Sequence, residues 1–207
     1  MLDLALLGLL EEGPQHGYEL RKRLRRRFGS LANVSFGSIY PTLSRLEKSG
    51  AVETVPGFGP VASPPTGSLT GERAVARARR RPGGRGRRFR KVYRITPAGR
   101  QLFVARLTDP SPDDARSFLL RLSLAGHMDA EDRLALLVRR REQLVQRRRE
   151  IPTEPDGGAD PYARSVAEHL AEGVDRDIAW LDRLIEAERA EGARAAERDR
   201  RRDRRPA

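Results

Sequence analysis

The sequence contains no cysteine, which excludes both a disulfide framework and a thiolate metal centre. Aromatic residues make up 5% of the chain, with a single tryptophan, Trp180. Lysine is scarce: of the 41 basic residues only Lys22, Lys48 and Lys91 are not arginine. Long apolar stretches are also missing. The run that ends at Leu10 is cut by Glu11 and Glu12. It is too short to span a membrane, and no basic stretch precedes it as a secretory leader requires. The expectation is a cytoplasmic protein with no membrane partner. The three histidines, His16, His127 and His169, are far apart, so no metal site is expected. Gly83-Gly84-Arg85-Gly86 has neither a preceding apolar strand nor a following Gly-Lys-Ser/Thr, so it is not a phosphate-cradling loop. No nucleophile elbow or Ser-His-Asp pattern occurs. Neither an enzyme nor a cofactor is expected.

Charge is what the chain has in abundance. Charged residues are 34% of the sequence and the formal net charge is +12. Residues 1–107 hold 21 Lys/Arg against 7 Asp/Glu, a net of +14, whereas residues 108–207 hold 20 against 22, a net of −2. A GC-rich genome explains arginine in place of lysine. It does not explain the asymmetry, which points to a polyanionic partner for the first half.

Apolar periodicity and breakers outline the elements. A helix is expected over 2–12, stopped by Gly13-Pro14, and a second over 17–28 with Leu20, Leu24 and Phe28 inward. Tyr18 and Tyr93 are expected in or near the core, and Gln15-His16-Gly17 reads as a turn in which His16 satisfies a local hydrogen bond. A third helix over 38–49 has Ile39, Leu43 and Leu46 as its core stripe, Ser35 or Ser38 as its cap, and Gly50 as its left-handed stop. Strands follow at 51–55 and 90–96. Thr96-Pro97 opens a helix over 97–107. Between the strands, residues 56–89 are rich in Gly, Pro, Ser and Arg, and disorder is expected there. Beyond Pro112, helices are expected over 113–125, 129–150 and 162–191. In the last of these, Val166, Leu170, Val174, Ile178, Leu181 and Ile185 form a stripe that wants a partner helix. Residues 192–207 lack such a stripe and read as a charged, flexible tail.

The order helix, helix, turn, helix, strand, long loop, strand, helix is that of a winged helix-turn-helix. The fold class is therefore mainly α with a small β-wing, followed by a carboxy-terminal helical region. The domains expected are 1–108, with 56–89 as a basic insert in the wing, then 112–191 and the tail. In the third helix, Ser38, Thr42 and Arg45 offer a polar face for base edges in a major groove. Ser44 fits either face, and Tyr40 either touches DNA or packs under the wing. Lys22 and Arg25 on the second helix, and Arg90 and Lys91 at the wing strand, are candidate phosphate contacts. The plain alternative for each is a solvated surface charge.

Four runs carry a family resemblance: Leu6-Leu7-Gly8-Leu9-Leu10; Gly13-Pro14-Gln15-His16-Gly17-Tyr18-Glu19-Leu20; Gly37-Ser38-Ile39-Tyr40-Pro41-Thr42-Leu43-Ser44-Arg45-Leu46-Glu47; and Lys91-Val92-Tyr93-Arg94-Ile95-Thr96-Pro97-Ala98-Gly99. In this order the chain resembles the PadR family of transcriptional regulators over residues 1–107 without the insert. The resemblance implies a homodimer, usually a repressor, that binds a palindromic operator in double-stranded DNA and dimerises through its carboxy-terminal helices. It also implies a small hydrophobic or phenolic effector in some members. On that reading Trp180 either lines a ligand pore or packs in an interface. The chain departs from the family at the wing, where it inserts roughly thirty residues. Within them Arg85, Arg87 and Arg88 are possible accessory DNA contacts. Arg85-Gly86-Arg87 resembles the core of a minor-groove hook, but a phosphate-binding arm and an inert insertion also fit. The rival to a sequence-specific regulator is an architectural polyanion binder that takes its affinity from the insert.

Overall fold

The computed structural model describes residues 1–29, 36–56, 91–111, 114–152 and 160–203. The wing insert, Ser35 and Arg90, together with Arg85, Arg87 and Arg88, lie outside the described residues. The chain divides into two compact units, Met1–Arg106 and Leu107–Ala207.

The first unit is built round α1 (Leu2–Glu11), in which every residue from Leu4 to Leu10 is buried. A helix that is apolar on all sides belongs inside, and α1 packs against α2 (Gly17–Phe28), α3 (Ile39–Lys48) and a strand of the sheet. Leu20, Leu24 and Phe28 bury the inner face of α2. The sheet has three antiparallel strands in the order β1-β3-β2, with β1 at Gln15–His16, β2 at Val52–Pro56 and β3 at Lys91–Ile95. Lys91 faces Pro56 and Ile95 faces Val52 across the wing, and Tyr93 has Gln15 on its other side. The helix-turn-helix followed by this hairpin is a winged helix-turn-helix. β1 is the element that the sequence conceals. Two residues are too few to show alternation, and the segment reads as a turn.

The join between α3, the wing and α4 (Pro97–Leu107) is closely specified. Gly50 takes φ +74°, its N–H donates to Glu47 O and that of Ala51 to Leu46 O. This pair of bonds closes the last turn of α3 and is available cheaply only with glycine at the left-handed position. The Ala51 carbonyl then accepts from Thr96 N at 3.1 Å. The Thr96 hydroxyl donates to Gly50 O at 2.6 Å and accepts from Gly99 N at 3.0 Å. Thr96 thus caps α4 as its sequence position predicts. Gly99 lies so near that an added Cβ would stand 1.9 Å from Ala51 O and 2.8 Å from Ile95 Cγ1.

The second unit contains α5 (Ala115–Ser123), α6 (Ala130–Glu150) and α7 (Pro161–Asp203). Asp114 and Asp129 cap α5 and α6, accepting from Ser117 N at 2.6 Å and Asp132 N at 2.8 Å. α6 and α7 pack together. Their ion pairs run antiparallel: Arg133 with Glu188, Arg141 with Asp182, and Arg148 with Asp175. Leu136, Leu137 and Leu144 of α6 are buried, as are Val174, Leu181 and Ile185 of α7. Arg121 is also buried, and its Nε donates to Leu107 O at 2.9 Å.

Several expectations are corrected. The α7 stripe is not one interface: Val174, Leu181 and Ile185 are buried within this chain and Ile178 is half-buried, while Val166 and Leu170 are exposed. Periodicity finds a stripe but does not say which neighbour covers each part. The last helix also continues to Asp203 rather than ending near 191, because alanine, arginine and glutamate favour helix without an apolar face. Tyr18 is 52% exposed and not a core residue, since its neighbours in the sequence turn Leu20 and Leu24 inward instead. His16 Nδ1 is buried without a hydrogen-bond partner, so that atom makes no local bond.

The two glycine environments predict opposite outcomes. Gly99→Ala destabilises the first unit by about 3 kcal/mol through overpacking against backbone. Gly173 sits in α7 with only the tip of Arg176 within 4 Å of an added Cβ, so Gly173→Ala stabilises by about 0.5–1 kcal/mol. Urea unfolding followed by circular dichroism measures both; equal effects of the two substitutions contradict this reading of the join.

Candidate nucleic-acid interface

α3 decides which of the candidate residues can reach a partner. Its buried positions are Ile39, Thr42, Leu43 and Leu46, the i, i+3, i+4, i+7 pattern of one helical face. Thr42 is 7% exposed and belongs to that face, so it is withdrawn from the outward set. It lies one turn from both Ile39 and Leu46, and the fold places it inside. The outward residues are Tyr40, Pro41, Ser44, Arg45 and Lys48. Ser44 and Lys48 stand opposite the core stripe. Lys48 was missed in the sequence, although projecting the Ile39-Leu43-Leu46 stripe across the helix points to it. Ser38 is half-buried in a 3-10 turn, Phe36–Ser38, ahead of the helix, and its side chain makes no capping bond.

Tyr40 is both packed and open. Its ring edge lies against Gly17, where an added Cβ would meet Tyr40 Cε1 at 3.1 Å and Tyr93 Cε2 at 3.3 Å. Half of the residue is nevertheless exposed. Gly17 therefore lets the start of α2 approach both tyrosine rings. Tyr93 is buried, and its phenol is pushed above the usual tyrosine range by burial first, then by the negative charge of Glu47 and by Tyr40.

The cations around α3 differ in what already holds them. Arg45 donates from Nη2 to Asp3 Oδ1, and Arg106 approaches the other Asp3 oxygen at 3.6 Å. Asp3 is only 13% exposed while Arg45 is 68% exposed, so the carboxylate is fixed and the guanidinium keeps other donors outward. Lys91 Nζ lies 3.5 Å from both oxygens of Glu47. The same carboxylate accepts from Thr54 Oγ1 at 2.9 Å. Arg23 and Arg27 both bind Glu12. Burial opposes ionisation of that acid, but the two guanidinium groups outweigh it and leave its carboxyl below the usual range. By contrast Lys22, Arg25 and Arg26 on α2 are exposed and have no ion-pair partner among the described residues. The structure thus brings Tyr40, Arg45, Lys22, Arg25 and Lys91 together in one unit, adds Ser44 and Lys48, and turns Thr42 inward.

Trp180 lies in the second unit, half-buried, with its ring edge-on to Phe118 at 6.2 Å and 83°. Arg140 covers the Phe118 ring at 5.5 Å. Among the described residues no group of three or more His, Asp or Glu could hold a metal ion, and no helix is long and apolar enough to cross a membrane.

Residues 6–57, which run from α1 through α3 and β2, match the model of the transcriptional regulator PadR-like family. The matched segment is similar to PadR-like transcriptional regulators. The match ends at residue 57, just past β2. The family is one of transcription regulators, not enzymes. No curated protein matches the sequence. Among solved structures, the chain is similar to Bacillus subtilis PadR in complex with operator DNA, at 16% identity over 90% of this chain and 97% of that one, with a TM-score of 0.39. It is similar to the same Bacillus subtilis protein in complex with p-coumaric acid, at 16% identity over 90% and 98%, TM-score 0.38. A PadR-like transcriptional regulator from Bacillus cereus is 18% identical over 92% and 99%, TM-score 0.36. These whole-chain likenesses are weak, and what the solved proteins bind is a property of those proteins.

Proposed function

We propose that this PadR-like chain is a sequence-specific DNA-binding regulator and acts as a homodimeric repressor. The observation that carries the reading is the outward face of α3. Tyr40, Ser44, Arg45 and Lys48 present hydrogen-bond donors and positive charge on the helix that follows the turn of a winged helix-turn-helix. That is the helix which enters a major groove in such folds. Lys22, Arg25 and Arg26 stand on the preceding helix as phosphate anchors. The test is a gel-shift titration against the DNA upstream of its own gene. Tight binding there and weak binding to a scrambled duplex at physiological salt is the expected result; equal affinity for the two refutes sequence specificity. The same titration with residues 60–88 deleted separates the rival. Specific binding survives the deletion if α3 reads the sequence, and collapses if the arginine-rich insert supplies the affinity. Loss of the gene raises transcription from that promoter if the protein represses.

Homodimerisation is assigned to the exposed part of the α7 stripe. Tyr162, Val166 and Leu170 are spaced by four residues, on one helical face, and are 81%, 58% and 46% exposed. Leu170→Asp yields monomers in sedimentation with helicity retained. A persistent dimer places the contact elsewhere. Leu181→Asp is the wrong probe, because Leu181 is fully buried within the chain and its loss disrupts the α6–α7 pair itself.

The reading also includes a small hydrophobic effector near Trp180. As the only tryptophan, Trp180 reports binding directly: a phenolic acid that binds there changes its fluorescence saturably and weakens the operator complex. Emission that stays constant across the titration refutes an effector site at Trp180.

A further inference from the structure

We propose that Glu47 masks Lys91, cancelling one positive charge on the DNA-facing side of the wing and so lowering the sequence-independent part of DNA affinity. The inference rests on the regulator reading above and concerns how the same surface discriminates. Lys91 opens β3 beside the recognition-type helix and, by position, is a phosphate contact. The structure gives it a counter-charge instead: both Glu47 oxygens lie 3.5 Å from Nζ.

The ion pair itself is exposed and weak, so a phosphate could draw Lys91 away. The carboxylate, however, cannot follow or leave. Glu47 is in the last turn of α3, 31% exposed in its side chain, and held by the Thr54 hydroxyl at 2.9 Å. A duplex that recruits Lys91 therefore meets a fixed negative charge beside its own phosphates. Lysine and glutamate together release no net counterion, and counterion release is what drives non-specific binding. Lys22, Arg25, Arg26 and Lys48 have no such acid among the described residues and keep their full electrostatic weight.

The test is the salt dependence of binding by the full-length chain to operator and to scrambled duplexes. Glu47→Gln removes the charge and keeps an acceptor for Thr54. It tightens binding to the scrambled duplex and steepens the log–log salt slope by about 0.9, the value of one phosphate contact. Lys91→Met added to Glu47→Gln restores the wild-type slope, whereas Lys91→Met alone leaves the Glu47 charge uncompensated and weakens binding to both duplexes. Circular dichroism confirms that each variant is folded. The proposal is overturned if Glu47→Gln leaves the slope unchanged, or if adding Lys91→Met to Glu47→Gln fails to bring the slope back to the wild-type value. Failure of the regulator reading looks different: wild-type protein then binds both duplexes alike, while the slopes on the scrambled duplex still decide the role of Glu47. A chain that binds neither duplex overturns both.

Discussion

The carbonyl of Ala51 is the point on which the geometry of the amino-terminal unit depends. It sits one residue after the left-handed Gly50 that ends α3, accepts from Thr96 N and receives the Thr96 hydroxyl at 3.2 Å. One backbone oxygen therefore fixes the end of α3, the start of β2, the end of β3 and the first turn of α4. Gly99 allows this approach because it has no Cβ. The consequence for function is positional. The relative placement of α3 and the wing is set by bonds to the Gly50 and Ala51 carbonyls rather than by flexible surface side chains. Such bonds are costly to leave unmade, which makes the join a rigid support for α3 and the wing.

On that support the charges are sorted. Of the acids in the first unit, Asp3, Glu11, Glu12, Glu47 and Glu53 each pair with a basic side chain: Arg45 and Arg106, Arg100, Arg23 and Arg27, Lys91, and Arg94 respectively. These pairs link elements distant in sequence and are each worth little for stability at the surface. Their effect is on where positive potential remains. Among the described residues, Lys22, Arg25 and Arg26 on α2 and Lys48 on α3 are left outward without a paired acid. A base composition rich in arginine supplies the charges, but it does not arrange the acids.

Much of this was legible in the sequence because the relevant signals are local. The core stripe of Leu20, Leu24 and Phe28, the Gly50 stop and the Thr96 cap each depend on residues within a turn or two, and the elements they delimit fall within a residue or two of the expected bounds. Thr42 was misplaced because a threonine one turn from two core positions is polar by type and buried by geometry. Tyr18 was misplaced the other way. The ion pairs of Asp3 with Arg45 and of Glu47 with Lys91 join residues more than forty positions apart, and no local pattern announces them.

The long final helix shows the same limit in a different form. A heptad-like stripe from Val166 to Ile185 is one feature in the sequence and two in space. From Val174 onward it is covered by α6 and reinforced by the Arg133, Arg141 and Arg148 ion pairs. Before Val174 the apolar residues face outward. Burial within the chain thus uses the second half of the stripe and leaves Tyr162, Val166 and Leu170 as apolar surface. Water contact with three such side chains is unfavourable at about 25 cal/mol per Å² of apolar area, and their common face gives a second helix a continuous surface to cover. Within its own unit the helix commits one half of its apolar stripe to packing and leaves the other half exposed.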